Sequence, residues 1–88
     1  MRIKFTTIAD GPGPSEEVIG IRTADGSQEE VVLSKRLLSG RGVDIGMPLL
    51  HEDDKLLIEL PRESASGRWR IWIPQTEVID SPAMQAAE

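Results

Sequence analysis

Apolar and polar residues alternate along several stretches of this chain, and a period of two is the mark of a strand with one face buried. Across residues 2–8, Ile3, Phe5 and Thr7 fall on one side and Arg2, Lys4 and Thr6 on the other. Leu56, Ile58 and Leu60 alternate in residues 55–60, and Trp69, Ile71 and Ile73 do so in residues 68–73. Residues 17–23 and 28–33 are β-branched runs on either side of Ala24-Asp25-Gly26-Ser27. Asp-Gly suits the positive φ angles of a type I′ turn, so this segment predicts a hairpin. With Asp25-Gly26 as a two-residue loop, Arg22 opposes Glu29 and Ile19 opposes Val32.

The other hairpin has its register set by parity. Both apolar rows face one core only if Leu60 opposes Trp69, Ile58 opposes Ile71 and Leu56 opposes Ile73; a shift of one residue would turn every partner outward. The same register sets Glu59 against Arg70 and Leu57 against Trp72. The connection over residues 61–68 is long for a hairpin, and its Ser64-Ala65-Ser66-Gly67 stretch is expected to be mobile. Between the hairpins, Ser34 can cap a single helical turn that Gly40 ends in a left-handed conformation. A short strand is expected near residues 43–45. Asp10-Gly11-Pro12-Gly13-Pro14-Ser15 forms an irregular loop. Pro74 stops the last long strand, Gln75-Thr76-Glu77 turns tightly, and Val78-Ile79 adds a short final strand. No internal repeat is read from the sequence.

These elements predict an all-β domain over residues 1–80, with a frayed tail over 81–88. The expected form is a small, partly open barrel of five or six antiparallel strands with one short helical turn. The ending Trp72-Ile73-Pro74-Gln75-Thr76-Glu77-Val78-Ile79 resembles the strand, turn and strand that close SH3-like barrels, and residues 9–16 would be the long first loop of that fold. The acidic-aromatic motif of signalling SH3 domains is absent, so the resemblance carries over no proline-peptide groove. The alternative is an OB-type barrel, with its helix confined to residues 34–39. A likeness of fold implies no function by itself.

Eighty-eight residues allow one core, and cysteine is absent, so apolar packing or a partner must supply the stability. No run approaches the ~20 apolar residues of a membrane span, and Met1-Arg2-Ile3-Lys4-Phe5 begins no signal peptide. A cytoplasmic protein with no membrane partner is the resulting expectation. The formal net charge of −5 disfavours phosphate backbones and anionic lipid. The carboxylates gather at Glu16-Glu17, Glu29-Glu30 and Glu52-Asp53-Asp54, and the bases at Lys35-Arg36, Arg41, Arg62, Arg68 and Arg70.

His51-Glu52-Asp53-Asp54 holds the single histidine, but contiguous residues on an extended chain point apart and cannot converge on one ion. The expectation there is a solvated turn before a strand. Serines occupy turn and cap positions, the histidine has no signature-spaced partners, and the glycines at 11 and 13 precede no lysine or helix start. No catalytic residue, metal or cofactor is therefore assigned. With Trp69, Ile71 and Ile73 inward, Trp72 points outward beside Arg68 and Arg70, and tryptophan and arginine are the residues that anchor interfaces. Leu57, Arg68, Arg70 and Trp72 are the candidate binding residues. The leading expectation is a non-enzymatic interaction module, contacting another protein or its own copy. A nucleic-acid-binding barrel using Trp72, Arg62, Arg68 and Arg70, and an accessory subunit of a larger enzyme, are the other readings.

Overall fold

The computed structural model describes residues 1–40 and 42–80. The expected tail, residues 81–88, lies outside the described residues. The fold is mainly β and is built from short strands: β1 (Arg2–Lys4), β2 (Thr6–Asp10), β3 (Glu16–Arg22), β4 (Gln28–Ser34), β5 (Leu38–Ser39), β6 (Gly42–Asp44), β7 (Leu50–Glu52), β8 (Lys55–Glu59), β9 (Arg70–Pro74) and β10 (Val78–Asp80). Two 3₁₀ turns, Lys35–Leu37 and Gln75–Glu77, join β4 to β5 and β9 to β10. The strands form three antiparallel sheets, ordered β10-β1-β6-β5, β2-β3-β4 and β7-β8-β9, where a barrel of five or six strands was expected.

The arrangement is a repeat that the sequence reading missed. Each half runs strand, three-stranded meander, 3₁₀ turn, strand. Equivalent residues lie forty apart at the ends of each half: Ile3 with Val43, Ser34 with Pro74, Lys35 with Gln75, Leu38 with Val78. In the shared sheet, Ile3 pairs with Val43, and the flanking pairs Ile3–Val78 and Val43–Leu38 mirror each other. A pseudo-twofold axis therefore passes between Ile3 and Val43. Backbone bonds repeat with it: Lys35 N–H donates to the Ser15 carbonyl and Gln75 N–H to that of Asp54, both at 2.8 Å.

The two hairpin turns are copies as well, Thr23-Ala24-Asp25-Gly26-Ser27 and Ser64-Ala65-Ser66-Gly67-Arg68. In the first, Gly26 N–H donates to Thr23 O and Thr23 N–H to Ser27 O; in the second, Gly67 N–H donates to Ser64 O and Ser64 N–H to Arg68 O. Gly26 and Gly67 sit at φ +87° and +86°, which only glycine adopts without strain. Each turn then docks on the other half. Ala24 N–H donates to Trp72 O at 2.8 Å, and Ala65 N–H donates to Glu30 O at 2.7 Å. The Ser64–Gly67 segment, expected to be mobile, is thus tied at both its base and its tip, and Ser64 is buried.

These turns correct the first register. The loop is the three residues Ala24, Asp25 and Gly26, a three-residue hairpin with its glycine left-handed. Arg22 opposes Gln28 and Ile19 opposes Val31, one residue from expectation. The reason lies in Asp25, which keeps a negative φ because its carboxylate accepts from the Thr23 hydroxyl and from Ser27 N–H. The slip brings Glu29 opposite Ile21, on the inner face, where it is nearly buried. No Arg22–Glu29 pair forms; Glu29 instead accepts from Ser66 Oγ at 2.7 Å and lies 3.9 Å from the Arg68 guanidinium.

The predicted single strand over residues 2–8 is two strands, because the chain leaves the shared sheet at Phe5 to run along β3. The second hairpin keeps the expected register, with Leu56–Ile73, Leu57–Trp72, Ile58–Ile71 and Glu59–Arg70 paired. Leu60 N–H donates to Trp69 O at 2.7 Å. The core gathers Ile3, Ile19, Ile21, Val31, Leu33 and Val43 with Leu56, Ile58, Leu60, Ile71 and Ile73 from both halves. The Ser34 cap stands as expected, with Ser34 Oγ accepting from Arg36 N–H at 3.3 Å, but the turn ends at an extended Leu38, and the left-handed Gly40 follows β5 instead of ending the turn.

Two outcomes follow. Arg2 opposes Asp80 much as Gly42 opposes Ser39, so a permutant joining Asp80 to Met1, opened between Gly40 and Gly42 and ending without residues 81–88, should fold. Circular dichroism and melting are expected to match the parent within about 8 °C, roughly a 1 kcal/mol change in a domain of this size; a non-cooperative chain would speak against equivalent halves. Acid should also weaken the fold. The Thr23 hydroxyl and the Ser27 amide hold the Asp25 carboxyl below its ordinary range, and the Gly46 amide and the N-terminal ammonium do the same for Asp44. A depressed folded-state pKa stabilises above the unfolded value and is lost as pH falls through the folded one. Melting temperature should therefore decline on acidification through and below the ordinary carboxylate range, and Asp25→Ala should lower the neutral plateau while flattening that decline.

Candidate functional site

The outward side of β7-β8-β9 carries most of the residues singled out from the sequence. Residues directly opposite in a sheet share a face. Leu50 opposes Leu57, and Leu57 opposes Trp72, so these three side chains form one row across the three strands. Leu56, Ile58, Ile71 and Ile73 take the inner face and are buried. Leu57 and Trp72 are half-buried, and Leu50 at the edge is 55% exposed. The apolar row thus lies on the face the core does not use.

Charges frame the row. The Lys55 ammonium lies 5.2 Å from the centre of the Trp72 ring, a cation–π contact that fixes the outward position of the indole. On the far side of Leu57, Glu59 Oε2 lies 3.4 Å from Arg70 Nε. Both partners are exposed, so the pair contributes little stability. Along β8 the outward side chains therefore read Lys55, Leu57, Glu59.

Of the four predicted residues, Leu57, Trp72 and Arg70 come together on this face. Arg68 departs toward Glu29 and lines a cleft beside Trp72 with Thr23, Asp25, Asp53, Asp54 and Lys55. Trp69 was expected to point into the core, and it is 51% exposed. Regular β9 starts only at Arg70, so Trp69 stands at the loop end of the hairpin. Leu60 N–H still reaches the Trp69 carbonyl, but the indole lies beyond the last regular pair, Glu59–Arg70, and is left uncovered.

Leu50 and Lys55 join the face although the sequence predicts only a solvated turn over residues 51–54 and places Lys55 at the start of a strand. The segment is β7 and a tight turn into β8, with Glu52 opposite Lys55 and Asp53 at φ +51°. Leu49-Leu50 before the acidic turn and Lys55 after it was the available signal for a third hairpin. His51 is exposed, with Nε2 3.1 Å from the Asp53 carbonyl. Among the described residues, no group of three or more His, Cys, Asp or Glu side chains is placed to hold a metal ion, and no helix is long and apolar enough to cross a membrane.

Searches against protein-family models, curated proteins and solved structures found no match to this chain.

Proposed function

We propose that this chain is a non-enzymatic protein-interaction module that docks through the outward face of β7-β8-β9. The observation that carries this reading is the Leu50–Leu57–Trp72 row, an apolar strip with an aromatic anchor on a sheet whose other face already supplies the core. Rigid strands hold it, Lys55 fixes the indole, and a polar rim surrounds it, which are the parts of a hot spot. An accessory subunit of a larger assembly would use the same face. The strand, 3₁₀ turn and strand that end each half are read as SH3-like in form, without that family's peptide groove.

Nucleic acid is the weaker reading. Arg62 lies 3.3 Å from Glu16, Arg68 faces Glu29 and Arg70 faces Glu59, so the arginines that would meet phosphates already face carboxylates.

The test compares wild type with Trp72→Ser, both isolated from the native source and sized by light scattering. Wild type is expected in an assembly heavier than the 9.7 kDa chain. The variant is expected at the chain mass with a melting temperature close to wild type, since Trp72 lies outside the core. Unfolding of the variant, or an assembly that survives the substitution, removes the proposal.

A further inference from the structure

Resting on that reading, we infer that the partner on this face is a second copy of the chain, with the two β7-β8-β9 sheets packed face to face about a twofold axis through the Leu57 row. The charge order on β8 carries the inference. Its outward side chains are positive, apolar and negative in turn, and Leu57 stands midway between Lys55 and Glu59. A twofold axis running across the strands through Leu57 lays β8 antiparallel over its counterpart. Leu57 then meets Leu57, and each Lys55 meets the Glu59 of the opposite copy.

The neighbouring strands agree. On β9, Trp72 is central, and Arg70 is brought over Pro74 rather than over another cation. On β7, Leu50 lies in the row, and Glu52 is carried past the start of that strand. No like charges are opposed in this arrangement. The other twofold within the interface plane, along the strands, would set Lys55 against Lys55 and Glu59 against Glu59, so the pattern selects one axis. Sheets stacked face to face lie about 10 Å apart, with side chains interdigitating between them. An isologous contact of this kind closes on itself as a dimer.

The first half of the molecule provides an internal comparison. At the equivalent place Ala9 opposes Val18, and Val18 opposes Val32, so the row exists there with small side chains. Along β3 the outward residues are Glu16, Val18 and Gly20, which lack the alternation of sign. Only the second half has both the bulky row and the self-complementary charges.

Sedimentation equilibrium on the purified full-length chain, with no other protein present, tests this. Wild type should reach twice the 9.7 kDa chain mass with rising concentration. Lys55→Glu and Glu59→Lys should each weaken the dimer about tenfold or more, because each change opposes like charges twice across the axis. The Lys55→Glu/Glu59→Lys double variant should bind about threefold or more tightly than either single variant, since the pairs across the axis re-form with their signs exchanged, while the contacts of Lys55 with Trp72 and of Glu59 with Arg70 stay lost. Melting curves will show whether each variant stays folded; both positions are outside the core, and all three variants should. A wild type that stays at the chain mass, or a double variant no better than the singles, overturns the inference. The interaction reading would still stand if native-source material then lost a different partner on Trp72→Ser.

Discussion

The pairing of β1 with β6 about Ile3 and Val43 is the contact on which the rest of the fold depends. Each half has a three-stranded meander with one apolar face, too small by itself to enclose it. Joining the halves through adjacent central strands completes a four-stranded sheet whose outer strands, β10 and β5, are the closing strands of the two halves, each paired with the opening strand of the other half. Ile3 and Val43 are both fully buried at that junction, and Met1, at the start of the strand, is buried with them. A chain with no disulfide thereby gains a core to which both halves contribute throughout. Ile→Ala at such a position costs about 2–5 kcal/mol, a large share of what a small domain has.

The crossed turns lock the same arrangement from outside. Ala24 donates to a carbonyl of the second half, and Ala65 to a carbonyl of the first, so neither hairpin can shift without breaking a bond to its counterpart. The docking is reciprocal but unequal: Trp72 accepts one bond and Glu30 the other, two positions apart in the alignment of the halves. Glu29 shows the consequence of that inequality. It occupies the place that Trp69 has in the second half, and its near-burial is made tolerable by Ser66 and Arg68, both from the opposite turn.

What could be read from the sequence follows from how local each signal is. Side-chain parity is local, and the rows Leu56-Ile58 and Ile71-Ile73 fixed the second register because only one alignment buries both. Turn type is less local. Asp25-Gly26 fits a two-residue loop by composition, but the hydroxyl of Thr23 and the amide of Ser27 hold Asp25 in a three-residue one, and every pair in that hairpin moves by one. The split of the first strand at Phe5 and the escape of Trp69 depend on where partner strands end, which no window of residues 2–8 or 68–73 contains. The repeat was legible in principle: Thr-Ala-Asp-Gly-Ser and Ser-Ala-Ser-Gly-Arg share a pattern of hydroxyl, alanine and glycine, but the few shared identities are hidden by the longer loop before the second turn. Of the candidate site, Leu57, Arg70 and Trp72 followed from parity alone, whereas Leu50 required the recognition of β7.

The structural repeat also leaves the outer faces of the two halves free to differ. When two halves share one core, the inner residues of both meanders are constrained together, and large apolar residues there are interchangeable: Val31 with Ile71, Leu33 with Ile73, Ile19 with Ile58. The outer rows carry no such constraint. Ala9, Val18 and Val32 in one half correspond to Leu50, Leu57 and Trp72 in the other, a difference of size at every position with no consequence for the core. Leu57 and Trp72 are only half-buried and Leu50 is exposed, so their size on one half only, with Lys55 laid over the indole, is what the proposed contact with a partner rests on.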